Sequence, residues 1–298
     1  TFYRGRLIGD AVQCPYHGFT YDTTGACIVI PGQKAIPNEA RVRSYPVVER
    51  YHWIWIWMGD PALADPSKIE DYHWIDDPAW RAGGERLDLK GNYILLVENL
   101  LDLSHLSFIH PTTLGTDKIA ETPMRCERFE RGVRVTRWIM DSPPPPFFQK
   151  AGGFRPDQHV DRWQIIDWTP PAFVRLDVGC AIAGTGAREG NRSQGISMRN
   201  LNAITPETET TTHYFWAQAH NFALNDPTVT ELIFRQVHTA FMEDLAVIEA
   251  QQNTMLAFGD GLPAVVDLNQ DAGGIQARRI VDNILAAERG EALKRVAV

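Results

Sequence analysis

Two histidines five residues apart, His105 and His110, lie in a leucine-rich segment that also contains an acid and an amide. Asp102 stands three residues before the first histidine, and Asn99 stands six before it. On a helix, at about 100° per residue, Asn99, Asp102 and His105 fall near one face, and His110 lies about 140° further round. Because Pro111 pushes the preceding residue out of the helical region, we expect the helix to loosen there and to bring both imidazoles to one ion.

Two imidazoles in apolar surroundings make a site for a borderline divalent metal once a carboxylate joins them. The best candidate is Asp244, because Phe241, Asp244 and Ile248 share one face of a predicted helix. A carboxylate on a buried face needs a partner or a metal. Glu243 and Glu249 fall off that face and are expected to point to solvent. The alternative interpretations are two ordinary core histidines and an ordinary acidic helix.

A second metal signal is the stretch Cys14-Pro-Tyr-His17-Gly. A thiolate and an imidazole on a tight Pro/Gly loop can reach one cluster, and in a Rieske centre each ligand loop supplies one of each. The alternative is a buried cysteine and a surface histidine on a turn. Such a centre also needs a Cys-x-His loop earlier in the chain, and that loop is absent from the sequence. Cys27, His52 and His73 have neither the spacing nor the neighbours to replace it.

Composition narrows the class of protein. The chain has 298 residues, 44% of them hydrophobic, and a net charge of −8, which argues against a nucleic-acid partner or an anionic membrane surface. No apolar run approaches the length of a spanning helix. The four scattered cysteines indicate a reduced, cytoplasmic protein. The chain starts at Thr1 without a methionine, so it looks like a fragment that begins inside a domain.

The hydrophobic pattern predicts strands first and helices last. The first 85 residues predict a hairpin over 6–14 turning at Gly9 and Asp10, a strand over 27–30, a strand over 51–58 packed on both faces, and an irregular linker over 60–85. Strand-like segments then follow at 132–139, 160–166, 173–178, 195–204 and 210–217, typical of an antiparallel sheet. A long helix is predicted to open at Asp226, and a second over 275–298 with Ile280, Ile284 and Leu285 as its apolar stripe.

Residues 14–18, 99–110 and 243–251 together resemble the Rieske non-haem iron oxygenases, and longer stretches such as 55–66, 160–164 and 271–274 resemble the aryl O-demethylase branch. The resemblance extends over nearly the whole chain and implies an α+β fold. A small antiparallel β Rieske [2Fe-2S] domain, residues 1–60 without its first Cys-x-His loop, would precede a helix-grip catalytic domain, residues 61–298, in which an antiparallel sheet surrounds a long helix.

The resemblance also assigns the metal ligands. Cys14 and His17 resemble half of the ligand set of the [2Fe-2S] cluster. His105, His110 and Asp244 resemble the facial triad that holds a mononuclear Fe(II).

Five further residues receive roles from the resemblance or from their chemistry. Asp102 resembles the acid that links a cluster histidine of one subunit to a triad histidine of the next, and Asn99 resembles the amide near the iron. Gln164 and Asn202 are candidate pocket donors on the sheet. Arg235, in the same helix as the triad acid, is a candidate for binding a substrate carboxylate, although its helical position about 180° away favours a surface residue.

The implied reaction is the oxidative O-demethylation of a methoxybenzoate such as vanillate, with O₂ as co-substrate and formaldehyde and a phenol as products. NADH electrons would arrive through a separate flavin and iron–sulfur reductase, and the subunits would form a head-to-tail homotrimer. A monooxygenase or dioxygenase acting on another aromatic acid is the alternative within this class. Outside it stand a zinc hydrolase and a non-catalytic module that binds aromatic compounds.

Overall fold

The chain divides into two units, Thr1–Asp71 and Tyr72–Val298. The structure is a computed structural model, and it describes residues 2–111, 113–261 and 266–290. The predicted domain boundary at residues 60/61 falls earlier in the chain than the division between these units.

The first unit is built from short antiparallel strands. A four-stranded sheet contains, in spatial order, β1 (Arg6–Ile8), β2 (Ala11–Gln13), β3 (Thr20–Tyr21) and β4 (Cys27–Val29), and a separate hairpin pairs β5 (Val47–Arg50) with β6 (Trp53–Ile56). The predicted hairpin is confirmed, with Gly9 in the left-handed region at φ 58°. The prediction of a strand packed on both faces is wrong, because Ile54 is 78% exposed and Tyr51 and His52 belong to the turn.

The second unit contains one large sheet in which all neighbouring strands are antiparallel. Its spatial order is β7 (Arg81–Leu89), β13 (Thr212–His220), β12 (Gly195–Pro206), β11 (Phe173–Ile182), β10 (Val160–Thr169), β9 (Gly132–Ser142) and β8 (Arg125–Phe129). The five predicted strands are confirmed. The predicted linker is wrong for residues 81–85, which form the start of β7. Two glycines and several charges made this edge strand look irregular, yet a Cβ on Gly84 would lie only 2.2 Å from the Trp216 carbonyl oxygen.

Helices cover the apolar face of this sheet. They are α1 (Tyr93–Leu101), α2 (Leu106–Ile109), α3 (Asp117–Glu121), α4 (Pro146–Gly152), α5 (Pro227–Phe258) and α6 (Ala272–Glu288). As predicted, α5 begins after Asp226, whose side chain accepts a hydrogen bond from the Thr228 amide at 2.9 Å. Buried side chains of α1 and α5 pack against those of the sheet in one continuous core. The α+β prediction, an antiparallel sheet with a long helix against it, is confirmed.

The last described helix differs from its prediction. Helix α6 begins at Ala272, and residues 291–298 of the predicted helix lie outside the described residues. Ile284 and Leu285 are exposed, while Gly273, Gly274 and Ala277 are buried. Small residues form the packed face because α6 lies close to the sheet: a Cβ on Gly273 would lie 2.7 Å from the Val135 side chain. In the part of the chain that the structure describes, no helix combines the length and apolar character needed to cross a membrane.

Candidate metal centre and its cavity

The helix that leads to the two histidines ends one turn earlier than the periodicity predicts. Helix α1 stops at Leu101, and Asp102 takes an extended conformation at φ −119° and ψ 99°. Its Oδ1 accepts a hydrogen bond from the Ser104 amide at 2.8 Å, which starts the 3-10 turn Leu103–His105. An aspartate that binds the backbone locally in this way competes with the helix. The prediction of one helix continuing through His105 is therefore wrong.

The break turns the His105 ring so that each of its nitrogens has a defined role. Nδ1 lies 2.6 Å from the Asp102 carbonyl oxygen, and because a carbonyl can only accept, Nδ1 is the donor. Nε2 then carries the lone pair and lies 3.4 Å from Asp244 Oδ1. The backbone carbonyl of Asp102, and not its carboxylate, holds this ring. A hydrogen bond of this kind fixes the tautomer that a metal ligand needs.

His110 follows α2 and is fully enclosed. Its Nδ1 donates to Glu243 Oε2 at 2.6 Å, and its Nε2 lies 3.1 Å from Asp244 Oδ1. The expectation that Glu243 points only to solvent is wrong: 39% of its side chain is exposed, but the carboxylate faces the imidazole. Gly115 holds the following turn closed by donating its amide to the His110 carbonyl at 2.9 Å. A Cβ on Gly115 would lie 2.2 Å from the Leu106 carbonyl oxygen, so the tight turn requires glycine.

Asp244 brings the third group to this point from helix α5. It is 3% exposed, and Phe241 and Ile248 on the same helix face are buried as well. One ligand atom each from His105, His110 and Asp244 lies within 4.8 Å of the others. Asn99 donates its Nδ2 to Asp244 Oδ1 at 3.2 Å, and its own Oδ1 is buried without a partner among the described residues. The structure thus brings together the four residues that the sequence places at the mononuclear metal, His105, His110, Asp244 and Asn99.

The two imidazoles differ in their affinity for a proton. Burial lowers the pKa of His105, and the nearby Asp244 carboxylate only partly offsets it. Burial also acts to lower the pKa of His110, but hydrogen bonds and charges from Asp244 and Glu243 outweigh it and leave this pKa raised. A divalent cation bound at the two Nε2 atoms would displace the proton that His110 carries on its Nε2.

The chemistry of this donor set fits a mononuclear metal. Two inward Nε2 atoms, one carboxylate and a satisfied outer N–H on each ring form the two-histidine, one-carboxylate arrangement that suits non-haem Fe(II). Zinc accepts similar ligands, so the cluster alone does not choose between the two metals.

A cavity opens onto these three residues, His105, His110 and Asp244. Its wall is mainly apolar and comprises Leu100, Leu103, Leu106, Leu114, Phe147, Phe148, Leu176, Val178, Met198, Val237, Ala240 and Phe241. Its polar wall residues outside the metal cluster and Asn99 are Arg162, Gln164, Asn200 and Gln218.

The predicted substrate-binding residues fall into three different places. Gln164 is buried and lines the cavity. Asn202 is displaced from it, because its Nδ2 donates to the Val174 carbonyl and to Asn200 Oδ1, and Asn200 lines the wall instead. Arg235 lies outside the cavity, with 70% of its side chain exposed and an ion pair to Glu231 at 3.0 Å. Its prediction is wrong for the reason that helical geometry supplied: nine residues carry it to the far side of α5.

The sequence analysis missed Arg162, which is 5% exposed and lines the cavity. Strand alternation could have found it, since residues 160, 162, 164, 166 and 168 share one face of β10. Val160, Ile166 and Trp168 on that face belong to the core, and an arginine among them is uncommon.

In the first unit, Cys14 and His17 lie on the loop between β2 and β3. The Cys14 amide donates to the Phe19 carbonyl at 2.7 Å, and the Gly18 amide donates to the Cys14 carbonyl at 3.0 Å. Gly18 has a φ of 74°, which closes the loop in the left-handed region. His17 is exposed, and its ring centroid lies 4.0 Å from that of Tyr16. The pair offers one thiolate and one imidazole, two of the four ligands of a Rieske cluster.

Comparison with known proteins bears on both units. Residues 2–46 match the Rieske [2Fe-2S] domain, and residues 89–287 match the vanillate O-demethylase oxygenase C-terminal domain. The chain is 44% identical, over 96% of its length and 82% of the relative's, to the iron–sulfur subunit of the toluene-4-sulfonate monooxygenase system of Comamonas testosteroni. It is 38% identical, over 96% and 79% of the two chains, to the vanillate O-demethylase oxygenase subunit of a Pseudomonas strain. The crystal structure of dicamba monooxygenase bound to 3,6-dichlorosalicylic acid superposes with a TM-score of 0.88 at 31% identity, covering 96% and 83% of the chains.

Proposed function

The chain belongs to the Rieske non-haem iron oxygenases, and we propose that it is the oxygenase component that oxidises a methyl group on an aromatic acid. It is a monooxygenase of the kind that combines a [2Fe-2S] cluster with a non-haem iron and works in a multicomponent system with a reductase. What we propose is which residues hold the two metal centres, which substrate is oxidised and how the subunits assemble.

The observation that carries the proposal is the His105–His110–Asp244 cluster facing a buried apolar cavity. These three residues would hold the iron, and Cys14 and His17 would supply two ligands of the [2Fe-2S] cluster. When bound, the iron supplies the activation of O₂.

The cavity residues contribute binding and exclusion of water. The apolar wall takes the arene and its methyl group and keeps bulk water away from them. Asn99 holds the Asp244 carboxylate by its 3.2 Å hydrogen bond, and Gln164 offers an amide to a polar substituent. Asp102 holds His105 through its carbonyl, while its carboxylate would link the ring electrostatically to a cluster histidine of the neighbouring subunit. A head-to-tail homotrimer and a cytoplasmic location belong to this proposal.

The first candidate reaction is O-demethylation of a methoxybenzoate of the vanillate type. One oxygen atom enters a methyl C–H bond, the other leaves as water, and two electrons come from NADH through the reductase. The hemiacetal then collapses: its bond between the methylene carbon and the aryl oxygen breaks, the carbonyl of formaldehyde forms, and the aryl oxygen takes the hydroxyl proton to become a phenol.

A second candidate is hydroxylation of the methyl group of a toluenesulfonate. The higher identity to the sulfonate-oxidising relative, 44% against 38%, favours it. Both candidates place a methyl group at one end of a small arene and an acid group on the ring.

The test supplies the oxygenase with a reductase, NADH and O₂, and offers methoxybenzoates and toluenesulfonates in parallel. Formaldehyde release supports the first reaction, and a hydroxymethyl product supports the second. A His110→Ala variant is the control and should form neither product. The proposal is overturned if every arene fails to give an NADH-dependent product, or if the active protein carries zinc in place of iron.

A further inference from the structure

We propose that Arg162 is the anion-binding residue of the cavity and that it seats a carboxylate or sulfonate group of the arene. The inference rests on the proposed function and adds to it the residue that selects for charge. It replaces Arg235, whose side chain is exposed and paired with Glu231.

The guanidinium of Arg162 is buried with donors to spare. Its Nη2 donates to the Leu114 carbonyl at 3.2 Å. Its Nε and Nη1 are enclosed and have no hydrogen-bond partner among the described residues. A buried donor without an acceptor is costly, and a cavity ligand bearing oxygen atoms would satisfy it.

The charge of Arg162 is also unmatched within the described parts of the chain. The guanidinium lies 5.1 Å from the centre of the Phe148 ring, which offers only a cation–π contact. Cys180 on the neighbouring strand β11 is not an anion, since burial raises the pKa of its thiol to about 12. Burial lowers the pKa of Arg162 to about 10, so the side chain stays charged at neutral pH.

The position of Arg162 directs this charge into the same cavity as the metal cluster. Arg162 and Gln164 lie on one face of β10 and both line the wall. An arginine presents a planar set of N–H donors that matches the paired oxygens of a carboxylate, and a sulfonate offers the same acceptors. The apolar wall then encloses the ring, so the ligand is a small arene with one anionic group.

The experiment measures binding and not turnover. The iron-loaded, oxidised oxygenase is titrated calorimetrically without O₂ or reductant against two pairs of ligands. One pair is 4-methoxybenzoate and its neutral amide; the other is 4-toluenesulfonate and its neutral sulfonamide. The variants are Arg162→Met, Arg162→Lys and, as the matched control outside the cavity, Arg235→Met.

We expect the wild-type protein to prefer the anion of at least one pair by about 10-fold or more. Arg162→Met should weaken binding of that anion by about 10- to 100-fold and leave the neutral partner nearly unchanged. Arg162→Lys should retain part of the preference because it keeps the charge without the fork. Arg235→Met should match the wild type. The pair that shows the preference identifies the group as carboxylate or sulfonate.

Two results overturn the inference while the proposed function stands. One is equal binding of anion and neutral partner by the wild-type protein, a measurement that needs no variant to fold. The other is a folded Arg162→Met protein that keeps the full preference. Failure of the wild-type protein to bind any of the four arenes would overturn the proposed function and, with it, the inference.

Discussion

The two candidate metal regions differ in what positions their side chains: local backbone contacts in the loop of Cys14 and His17, and long-range packing in the cluster of His105, His110 and Asp244. The loop is closed by its own backbone hydrogen bonds, and its histidine is exposed. The cluster joins His110 to an aspartate 134 residues later, and both are buried. The loop is therefore a local structure, while the cluster depends on the packing of α5 against the segment after α1. The two regions should respond differently to change.

The largest expected effect is the loss of the mononuclear iron when one of its histidine ligands is removed. We expect His105→Ala and His110→Ala each to remove the mononuclear iron and to lower product formation by more than about 1000-fold, because the cluster loses one of its three ligand atoms. The visible spectrum of the [2Fe-2S] cluster in the full-length protein should persist, since the Cys14 loop does not depend on His105 or His110. Iron content, the visible spectrum and product rate check this. Cys14→Ser is the reciprocal control and should lose the spectrum while keeping the mononuclear iron.

If a folded His105→Ala protein lost the cluster spectrum, the independence of the two regions would be contradicted, and with it the assignment of the histidine to the mononuclear site.

A smaller effect is expected at Asp102, where the two regions would communicate. Asp102→Asn keeps an Oδ1 acceptor for the Ser104 amide and keeps the carbonyl that holds His105. Only the charge is lost. We expect both metal centres to stay loaded and the reductase to reduce the cluster, while single-turnover product formation falls by about 100-fold.

Mixed assemblies of the proposed homotrimer sharpen this test. Activity should return when an Asp102→Asn subunit is combined with a subunit lacking its cluster, so that one intact cluster faces one intact Asp102. Full single-turnover activity in homogeneous Asp102→Asn protein would rule out the linking role.

A third prediction concerns Glu243, whose carboxylate accepts the outer N–H of His110. Glu243→Gln keeps an acceptor but removes the charge, so we expect the affinity for iron to fall by about 10-fold. Metal titration of the apo-protein measures this. Glu249→Gln is the matched control on the same helix, because that carboxylate accepts from the Lys90 amide. Equal losses in the two variants would show a general effect of charge on α5.

The last prediction concerns the pH dependence of metal binding at the mononuclear site. The pKa of His110 is raised by Asp244 and Glu243, so its inner nitrogen keeps a proton to higher pH than a free imidazole does. Metal affinity should therefore fall as the pH drops through this raised pKa, by about tenfold per pH unit for one displaced proton. The pKa of His105 is lowered, so that ring is already neutral there. Cobalt titrations across the neutral range measure the slope.

The contribution of His110 to the folding stability of the apo-protein should show the opposite trend. A raised pKa in the folded state means that His110 stabilises the fold below its unfolded pKa, and this contribution is lost as the pH rises through the raised value. Glu243→Gln should move both transitions to lower pH. A metal affinity that is flat across this range would contradict the assignment of His110 as a ligand.

The sequence predicts what depends on local spacing. The cap at Asp226, the turn at Gly9 and the helix face of Asp244 follow from residue types a few positions apart, and the structure places all three as expected. The resemblance supplied the assignment to Fe(II), since spacing alone left two ordinary core histidines and an ordinary acidic helix as alternatives.

What the sequence could not predict depends on competition between contacts. The apolar helix pattern continues through Asp102, whereas in the structure the helix ends at Leu101 and the Asp102 side chain accepts from the Ser104 amide. Glu243 is polar and off the buried stripe, yet its reach brings it to an imidazole. Strand alternation marks Arg162 as unusual, but the fact that its face of β10 lines the cavity depends on how the helices pack on the sheet.

Helices supply the candidate ligands of the mononuclear metal and the sheet supplies polar residues of the cavity, which has a consequence for how such a chain can evolve. The candidate ligands of the mononuclear metal come from helical segments, whereas Arg162 and Gln164 come from β10. Substitutions on strand faces can therefore change the polar groups offered to a substrate without touching the residues that would hold the mononuclear metal. The polar specificity of such a scaffold can thus be altered while its mononuclear metal ligands are kept.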